Sequence, residues 1–366
     1  MLFVLVSHFG LTFFDADDIR GRVLITMTLI ASPTFMIVSG LLVGFLHRTK
    51  PAHFARLRMT LMDRGVFLLT IGHLLILCAS WPLLHTARYV IITDAVGVSM
   101  IVGPAVVERL KASERVMLAA VLYAGAWAAT LFWHPAAAGA QLAVDLLFGS
   151  VQVAHTALIF PIVPWCCLDI AASALGDRLG TYFLNGDDRA MGRLLARTGA
   201  VAMAAALLLK AGNIVMRAVA AAGEITAARA EAVRMLTSPH MKFPPSPAYF
   251  LFYGGLGLLW VSLWLAAERR GRFLAVTDGA VMLGQASLFV FILQFFVYFT
   301  LVHLVRPYLP FTFAWPVYLV ASMGGVVGLT WVWHRRGYRR FVTVGLRNWP
   351  EQRGRWRLAA GVSGSS

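Results

Sequence analysis

Residues 23–46 read VLITMTLIASPTFMIVSGLLVGFL, and the stretch behind them, 47–65, reads HRTKPAHFARLRMTLMDRG. The first string holds no charged side chain; the second holds Arg48, Lys50, Arg56, Arg58 and Arg64. An α-helix needs roughly 20 apolar residues to cross about 30 Å of hydrocarbon. The pair therefore reads as a membrane span with its basic flank. The same alternation recurs along the chain and gives ten candidate spans: 1–14, 23–46, 66–85, 89–108, 116–133, 142–175, 197–215, 248–267, 281–305 and 313–333. The sixth is too long for one simple crossing. Its Pro161 and Pro164 predict a re-entrant or broken first part and then a helix through Asp169, which would make the count eleven. The expected fold class is an all-α, polytopic transmembrane helical bundle, one domain over 1–334 with a basic tail over 335–366.

Composition agrees. Apolar residues make up 59% and charged residues 13%, with a mean hydropathy of +0.73, whereas a soluble domain has about 45–50% and about 25%. A surface so poor in charge does not stay in water, and disorder, collagen and coiled coil fall to the same figures. Cys78, Cys166 and Cys167 lie in apolar stretches, two of them adjacent, so neither a disulfide framework nor a C-x-x-C metal pair can be built. No P-loop, G-x-G-x-x-G or His/Cys metal spacing occurs, and no metal or permanently bound cofactor is expected.

A net charge of +15 and a pI near 10.5 would suggest nucleic acid in a soluble chain. Here the positions of the charges give another meaning. Stretches 47–65, 109–115, 177–197, 268–278 and 334–366, all on one side in an alternating topology, hold 23 of the 32 Lys and Arg residues. Basic residues are retained on the cytoplasmic face, so both termini are expected there and no nucleic-acid partner is needed. The arginine-rich tail, with Trp349 and Trp356, is expected to lie on anionic lipid. Arginine outnumbers lysine 28 to 4, a bias that points to a GC-rich genome and a bacterial inner membrane.

Two segments stand apart. Met1–Phe14 corresponds to roughly 21 Å of helix, too short to cross. It lacks the basic start and small-residue cleavage site of a signal peptide and is expected to be the remainder of a longer first helix. The longest outer connection, 216–247, carries an amphipathic run from Glu224 to Leu236 and then Phe243-Pro244-Pro245-Ser246-Pro247. Both a functional lid and simple packing on the helix ends fit it.

An ionisable side chain at the bilayer centre costs roughly 2.5–3.5 kcal/mol on insertion scales. The candidates are His8, His73, Asp94, Asp145, His155, Asp169 and Lys210. His8 lies about 9 Å inward from Phe14 at the helical rise, Asp94 lies close to Tyr89 at the outer end of its span, and Lys210 lies near the outer end of the seventh. These three could share one layer, and a histidine with a carboxylate to orient it is the minimal general-base unit. Each also has a plain structural reading. His8 could be an interhelical hydrogen-bonder, Asp94 a helix cap or a partner for Lys210, and Lys210 a snorkelling cation. His73 fits a structural role best, and the role of Asp169 stays open. On the inner side, Arg56, Arg58 and Arg64 offer guanidinium groups suited to the phosphates of an acyl-CoA, although topology alone places basic residues there.

Several strings taken in order resemble the integral-membrane acyltransferases typified by the catalytic domain of heparan-alpha-glucosaminide N-acetyltransferase, relatives of the acyltransferase-3 family. They are Leu5-Val6-Ser7-His8-Phe9, the Pro33–Gly40 helix, Arg56-Leu57-Arg58 with Arg64, Phe160-Pro161-Ile162-Val163-Pro164-Trp165, Lys242-Phe243-Pro244-Pro245-Ser246 and Gly284-Gln285-Ala286-Ser287-Leu288-Phe289. The chain departs from the pattern twice. The charged D-x-x-R-G string would precede Met1, and Gln294 stands where relatives carry histidine.

The resemblance implies transfer of an acyl group, acetyl first among them, from cytoplasmic acyl-CoA to a hydroxyl or amine of a glycan or lipid-linked sugar on the outer side. It implies His8 as catalyst with Asp94 orienting it, Arg56, Arg58 and Arg64 near the donor, and Lys210, Pro164, Trp165 and Ser39 at the acceptor or pocket. Acyl-CoA enters as co-substrate. Two other readings remain open: a transporter using Asp94 and Lys210 as part of a polar pathway, and a structural membrane protein whose polar groups only hold helices together.

Overall fold

The computed structural model describes residues 1–15, 17–79, 91–149, 160–221, 226–270, 274–310, 314–338 and 343–345. Helices account for its regular structure, with no strand among the described residues. In chain order these are α1 (Leu2–Phe13), α2 (Ile19–Met27), α3 (Ala31–Thr49), α4 (Pro51–Phe67) and α5 (His73–Ala79), the last two joined through a π-helical turn at Leu68–Gly72. Next come α6 (Ile92–Arg109), α7 (Ala112–Phe132), α8 (Ala138–Leu147), α9 (Ile162–Leu184), α10 (Asp188–Ala221), α11 (Ala227–Thr237) and α12 (Pro247–Arg269). The chain closes with α13 (Leu274–Gln285), α14 (Ser287–Phe295), a π-helical turn, the short α15 (His303–Val305) and α16 (Trp315–Arg335).

Seven helices among the described residues are long and apolar enough to cross a membrane: Ile19–Thr49, Pro51–Ala79, Ala112–Phe132, Asp188–Met216, Pro247–Arg269, Ser287–Tyr308 and Trp315–Arg335. Large apolar side chains such as Val201, Leu208, Val317 and Val320 are well exposed along them, as a lipid-facing surface requires. The chain is an integral membrane protein. α6 and α9 are 18 and 23 residues long, but each carries three charged residues, Asp94, Glu108 and Arg109 in one and Asp169, Asp177 and Arg178 in the other. α1 and α8 have only 12 and 10 residues.

Two helices begin well before the hydrophobic runs that announce them. The third expected span, 66–85, continues a helix that starts at Pro51, and the seventh, 197–215, a helix that starts at Asp188. Arginine, leucine and methionine are good helix formers, and proline at the first position supplies a ready-made φ. Charge ends the apolar run here, not the helix. The over-long sixth stretch is divided as expected: α8 ends at Leu147, and α9 starts at Ile162 behind Pro161 and runs past Asp169 to Leu184.

The closest packing joins α3 to α9. A Cβ at Gly40 would overlap the carbonyl oxygen of Asp169, one at Gly44 that of Ser173, and one at Gly176 that of Leu41. Gly40 and Gly44 of α3 and Ala172, Gly176 and Gly180 of α9 all lie along this contact, a small-xxx-small seam that lets two backbones approach where hydrophobicity drives no association. Two further pairs repeat the device. A Cβ at Gly199 would lie 2.6 Å from the Gly255 oxygen (α10 on α12), and one at Gly65 would lie 2.6 Å from the Gly97 oxygen (α4 on α6).

One interruption matters for the site. Pro33 has no N–H for the carbonyl of Leu29 four residues earlier, so that oxygen loses its helical donor. The Tyr249 hydroxyl of α12 donates to it at 2.9 Å. Beside it, the Thr28 hydroxyl donates to the Leu24 and Ile25 carbonyls at 2.9 and 3.0 Å. The backbone between α2 and α3 is thus opened and resealed by side chains, as irregular backbone inside a bilayer must be.

Candidate functional site

Two chambers meet inside the bundle. The smaller, about 100 Å³, is lined by Ser7 and His8 of α1, Thr28, Ala31 and Ser32 at the α2–α3 interruption, Ile76, Leu77, Ile91 and Ile92, and by Phe160, Lys242, Phe291, Phe295 and Phe299. The larger, about 690 Å³, extends along α3 from Ala31 to Leu46 and reaches Leu57, Leu61 and Arg64 of α4, with Trp260, Gly284, Ser287, Phe289 and Trp333 on its other sides. That stretch of α3 is roughly 22 Å long. Val4, Ala31, Phe35 and Phe291 line both chambers, so these side chains form the partition, with the Phe35 and Phe291 rings 6.5 Å apart.

His8 is held by aromatic packing. Its ring meets Phe295 edge-on at 5.0 Å and Phe299 at 5.2 Å, while Phe9 and Phe13 on the buried side of α1 stack at 4.7 Å. The carboxamide of fully buried Gln294 lies close to the imidazole. The two are not aligned: among the described residues, His8 Nδ1 and both amide atoms of Gln294 lack a partner at good geometry. Such orphans are uncommon in a native core, and here they sit beside a chamber.

Lys242 enters from the other side on the loop ahead of α12. Two donors of α7 fix that loop by the Pro245 carbonyl: the Tyr123 hydroxyl at 2.7 Å and Trp127 Nε1 at 3.2 Å. Ser246 caps α12, accepting from the Tyr249 N–H at 2.9 Å and donating to the Ser238 carbonyl at 2.6 Å. Pro244 presses on Gly149, where a Cβ would lie 2.6 Å away and φ is +103°, a position that only glycine fills without strain. So anchored, Lys242 Nζ lies over the rings of Phe160 and Phe243, at 4.9 and 5.3 Å. Although the residue as a whole is only partly buried, its ammonium is enclosed, and burial pulls its pKa down to about 8.

The remaining expected residues are distributed as follows. Asp94 does not orient His8. Its Oδ1 pairs with His73 Nδ1 at 2.8 Å and its Oδ2 accepts the Ile91 N–H at 2.9 Å, which makes it the cap of α6 and the partner of the other histidine. Neither Asp94 nor His73 lines a chamber. Lys210 is exposed on α10 and lines neither cavity.

Of the three arginines, Arg64 alone lines the larger chamber; Arg58 pairs with Glu108, and Arg56 is exposed. Ser39 lines the larger chamber, whereas the fully buried Asp169 lines neither. Pro164 and Trp165 are buried off both chambers; the Trp165 ring packs on Phe160, Tyr249 and Phe250 at 5.0–6.2 Å. Asp145 is buried and accepts from the Gln141 amide at 2.7 Å. His155 lies outside the described residues.

The sequence reading missed Lys242 as a site residue and the Phe35–Phe291 partition. The first had a signal, a lysine ahead of two prolines at a span boundary. The second had none, because two phenylalanines 256 positions apart meet only through the tertiary fold.

At the Arg64 end, the Thr343 hydroxyl and the Val344 N–H both donate to buried Asp63, the latter at 3.0 Å, tethering 343–345 to α4. Nearby, Arg115 of α7, itself 1% exposed, pairs with Asp177 and donates to Ser173 at 3.1 Å, tying α7 to α9. In comparisons with known proteins, the chain matches no family model, no curated protein and no solved structure.

Proposed function

We propose that the chain is a membrane-embedded acyltransferase that moves an acyl group from an acyl-CoA to a hydroxyl or amine acceptor through the two adjoining chambers. One observation carries the reading: a histidine-bearing chamber and a longer, mostly apolar chamber ending at Arg64 share the wall formed by Val4, Ala31, Phe35 and Phe291. A donor with its phosphates at Arg64 would lay its arm along α3 and bring the thioester to the Phe35–Phe291 partition. Guanidinium groups suit phosphate, and the small volume beyond the partition suits an acyl group as short as acetyl.

His8 is the base in this scheme. It takes the proton from the acceptor hydroxyl or amine as the acceptor oxygen or nitrogen attacks the thioester carbonyl. The C–S bond breaks, and His8 returns the proton to the departing CoA thiolate, so the reaction balances without a further reagent. Transient acylation of the imidazole is the covalent variant. Gln294 takes the place beside His8 that sequence reasoning gave to Asp94. The positive-inside rule places the Arg64 end and both termini in the cytoplasm, with about ten crossings, and the arginine bias fits a bacterial inner membrane.

The test is transfer of labelled acetyl from acetyl-CoA by the purified protein in detergent. Conversion of His8→Ala should lower transfer at least about 100-fold with the melting profile retained; normal transfer by that variant removes His8 from the mechanism. The partition also suits a transporter, in which Phe35 and Phe291 would gate a solute path. Turnover of acyl-CoA in detergent, where no sealed compartment exists, separates the two.

A further inference from the structure

The smaller chamber carries an uncompensated cation. Lys242 projects into it between two aromatic rings, and among the described residues no carboxylate pairs with it. Carboxylates elsewhere in the bundle are engaged or lie off the chamber: Asp15 pairs with Arg306, Asp18 with Arg20, Asp94 with His73 and the Ile91 amide, Asp145 accepts from Gln141, and Asp169 lines neither chamber. His8, which lines the same chamber, supplies no negative charge.

A desolvated ammonium is costly unless it is paired. Two rings offset part of that cost through cation–π attraction. They leave the chamber-facing side of Nζ open to a ligand. Ser7 and Ser32 bring hydroxyls to the same space, and together these groups are donors looking for an acceptor.

We infer that the acceptor substrate bears an anionic group, a carboxylate or a phosphate, which docks against Lys242 and thereby sets the acceptor hydroxyl or amine beside His8. The inference rests on the acyltransfer reading for its second half; the anion site itself does not. His8 and Lys242 line the same chamber, so the anionic group and the acceptor hydroxyl or amine would meet them in one space. Lys242 is a positioning residue here: it touches the substrate's charge, and His8 acts on the reacting atoms.

The experiment uses the full chain in detergent and three probes of one sugar framework: glucuronate, glucose 6-phosphate and glucose. Binding is read from the thermal shift over a concentration series, with no acyl-CoA present, and transfer is then read with labelled acetyl-CoA. At least one anionic probe should bind the wild-type chain 10-fold or more tightly than glucose, and which of the two binds better tells carboxylate from phosphate. Lys242→Met should erase that preference, Lys242→Arg should keep most of it, and in transfer the Lys242→Met loss should appear in KM for the anionic acceptor more than in kcat.

Equal binding of all three probes by the wild-type chain would overturn the inference, whatever the variants do. So would a preference that survives Lys242→Met or, should that variant not fold, Lys242→Gln. Anion preference without any acyl transfer would uphold the site and sink the acyltransfer reading. Transfer to glucose as efficient as to the anionic sugars would do the reverse.

Discussion

Two pairs of glycine-bearing surfaces in this molecule behave oppositely. Along the α3–α9 seam, Gly40, Gly44 and Gly176 each face a backbone carbonyl of the other helix with no room for a methyl group. On α13 and α16, Gly279, Gly284, Gly324, Gly325 and Gly328 have nothing within 4 Å of where a Cβ would stand. The first set closes a contact between backbones; the second leaves a surface open, and of the large apolar residues on α16 Val317, Val320 and Leu329 are more than half exposed. The larger chamber lies between these regions, with α3 on its tight side and Gly284 and Trp333 on its open side. One wall is fixed by backbone contact and the other by side chains alone, an arrangement in which a cavity can admit a long ligand while the tight wall keeps its geometry.

The comparison breaks most visibly at Gly44. Leucine there would drive its side chain into the Ser173 carbonyl and separate α3 from α9. The two helices cannot part without moving Asp169, Ser173 and the Arg115–Asp177 pair. Overpacking costs typically 1–3 kcal/mol in a core that can adjust, and this seam has only backbone to move, so more than about 3 kcal/mol is expected. Purified Gly44→Leu should fail to give a monodisperse protein in detergent or should melt far below the wild type. A normal melting curve would show that the seam is looser than its geometry.

Much of that scaffold was legible in the sequence. The apolar runs announced the long helices because length and hydropathy are local properties, and Pro161 marked where α9 begins. The basic stretches misled about helix ends, since Arg56 and Arg58 are as helical as any lysine-rich segment and only the apolar run stops at them. The histidine–carboxylate pair was foreseen with the wrong histidine. His8 and Asp94 do lie near the same end of the bundle, but depth says nothing about rotation. The rotation of α6 is set by Gly65 against Gly97, a contact between distant parts of the chain, and it turns Asp94 toward His73. Lys242 stood ahead of two prolines at a span boundary, but nothing local shows that Phe160 folds over it.

A smaller effect sharpens the boundary between the regions, at the loop that brings Lys242 in. Below pH 8 the amine holds its proton in both the folded and the unfolded chain. Between its folded pKa of about 8 and the ordinary 10.5, only the unfolded chain holds it. Folded stability should therefore rise as pH climbs through that window, by an upper bound on the order of 3 kcal/mol. Melting temperature measured from pH 7.5 to 10.5 should climb by a few degrees more in the wild type than in Lys242→Met. Parallel curves would mean that the ammonium is fully hydrated.

Next in size is Tyr249→Phe. The phenol supplies the one hydrogen bond that Pro33 denies to the Leu29 carbonyl, and a buried carbonyl left without a donor costs about 1–3 kcal/mol. The ring packing on Trp165 and Tyr253 is retained by phenylalanine, so the loss isolates the hydroxyl. Beyond a lower melting temperature, amide exchange at Ala31 and Ser32 should accelerate, because the opened turn lines the smaller chamber. Unchanged exchange would mean that the interruption holds itself.

The smallest effect tests the open side. Gly325 of α16 has no neighbour within 4 Å of a would-be Cβ, so alanine meets nothing and removes only the backbone freedom that glycine carries in the unfolded chain. Gly325→Ala should be neutral or stabilising by less than about 1 kcal/mol. The same methyl at Gly44, which would overlap the Ser173 carbonyl, should destabilise. Measured side by side in one detergent, the two alanines ask the same chemical question of both walls. If Gly325→Ala proves as damaging as Gly44→Ala, then α16 packs against a surface that only assembly reveals, and the open wall of the chamber is closed in the working protein.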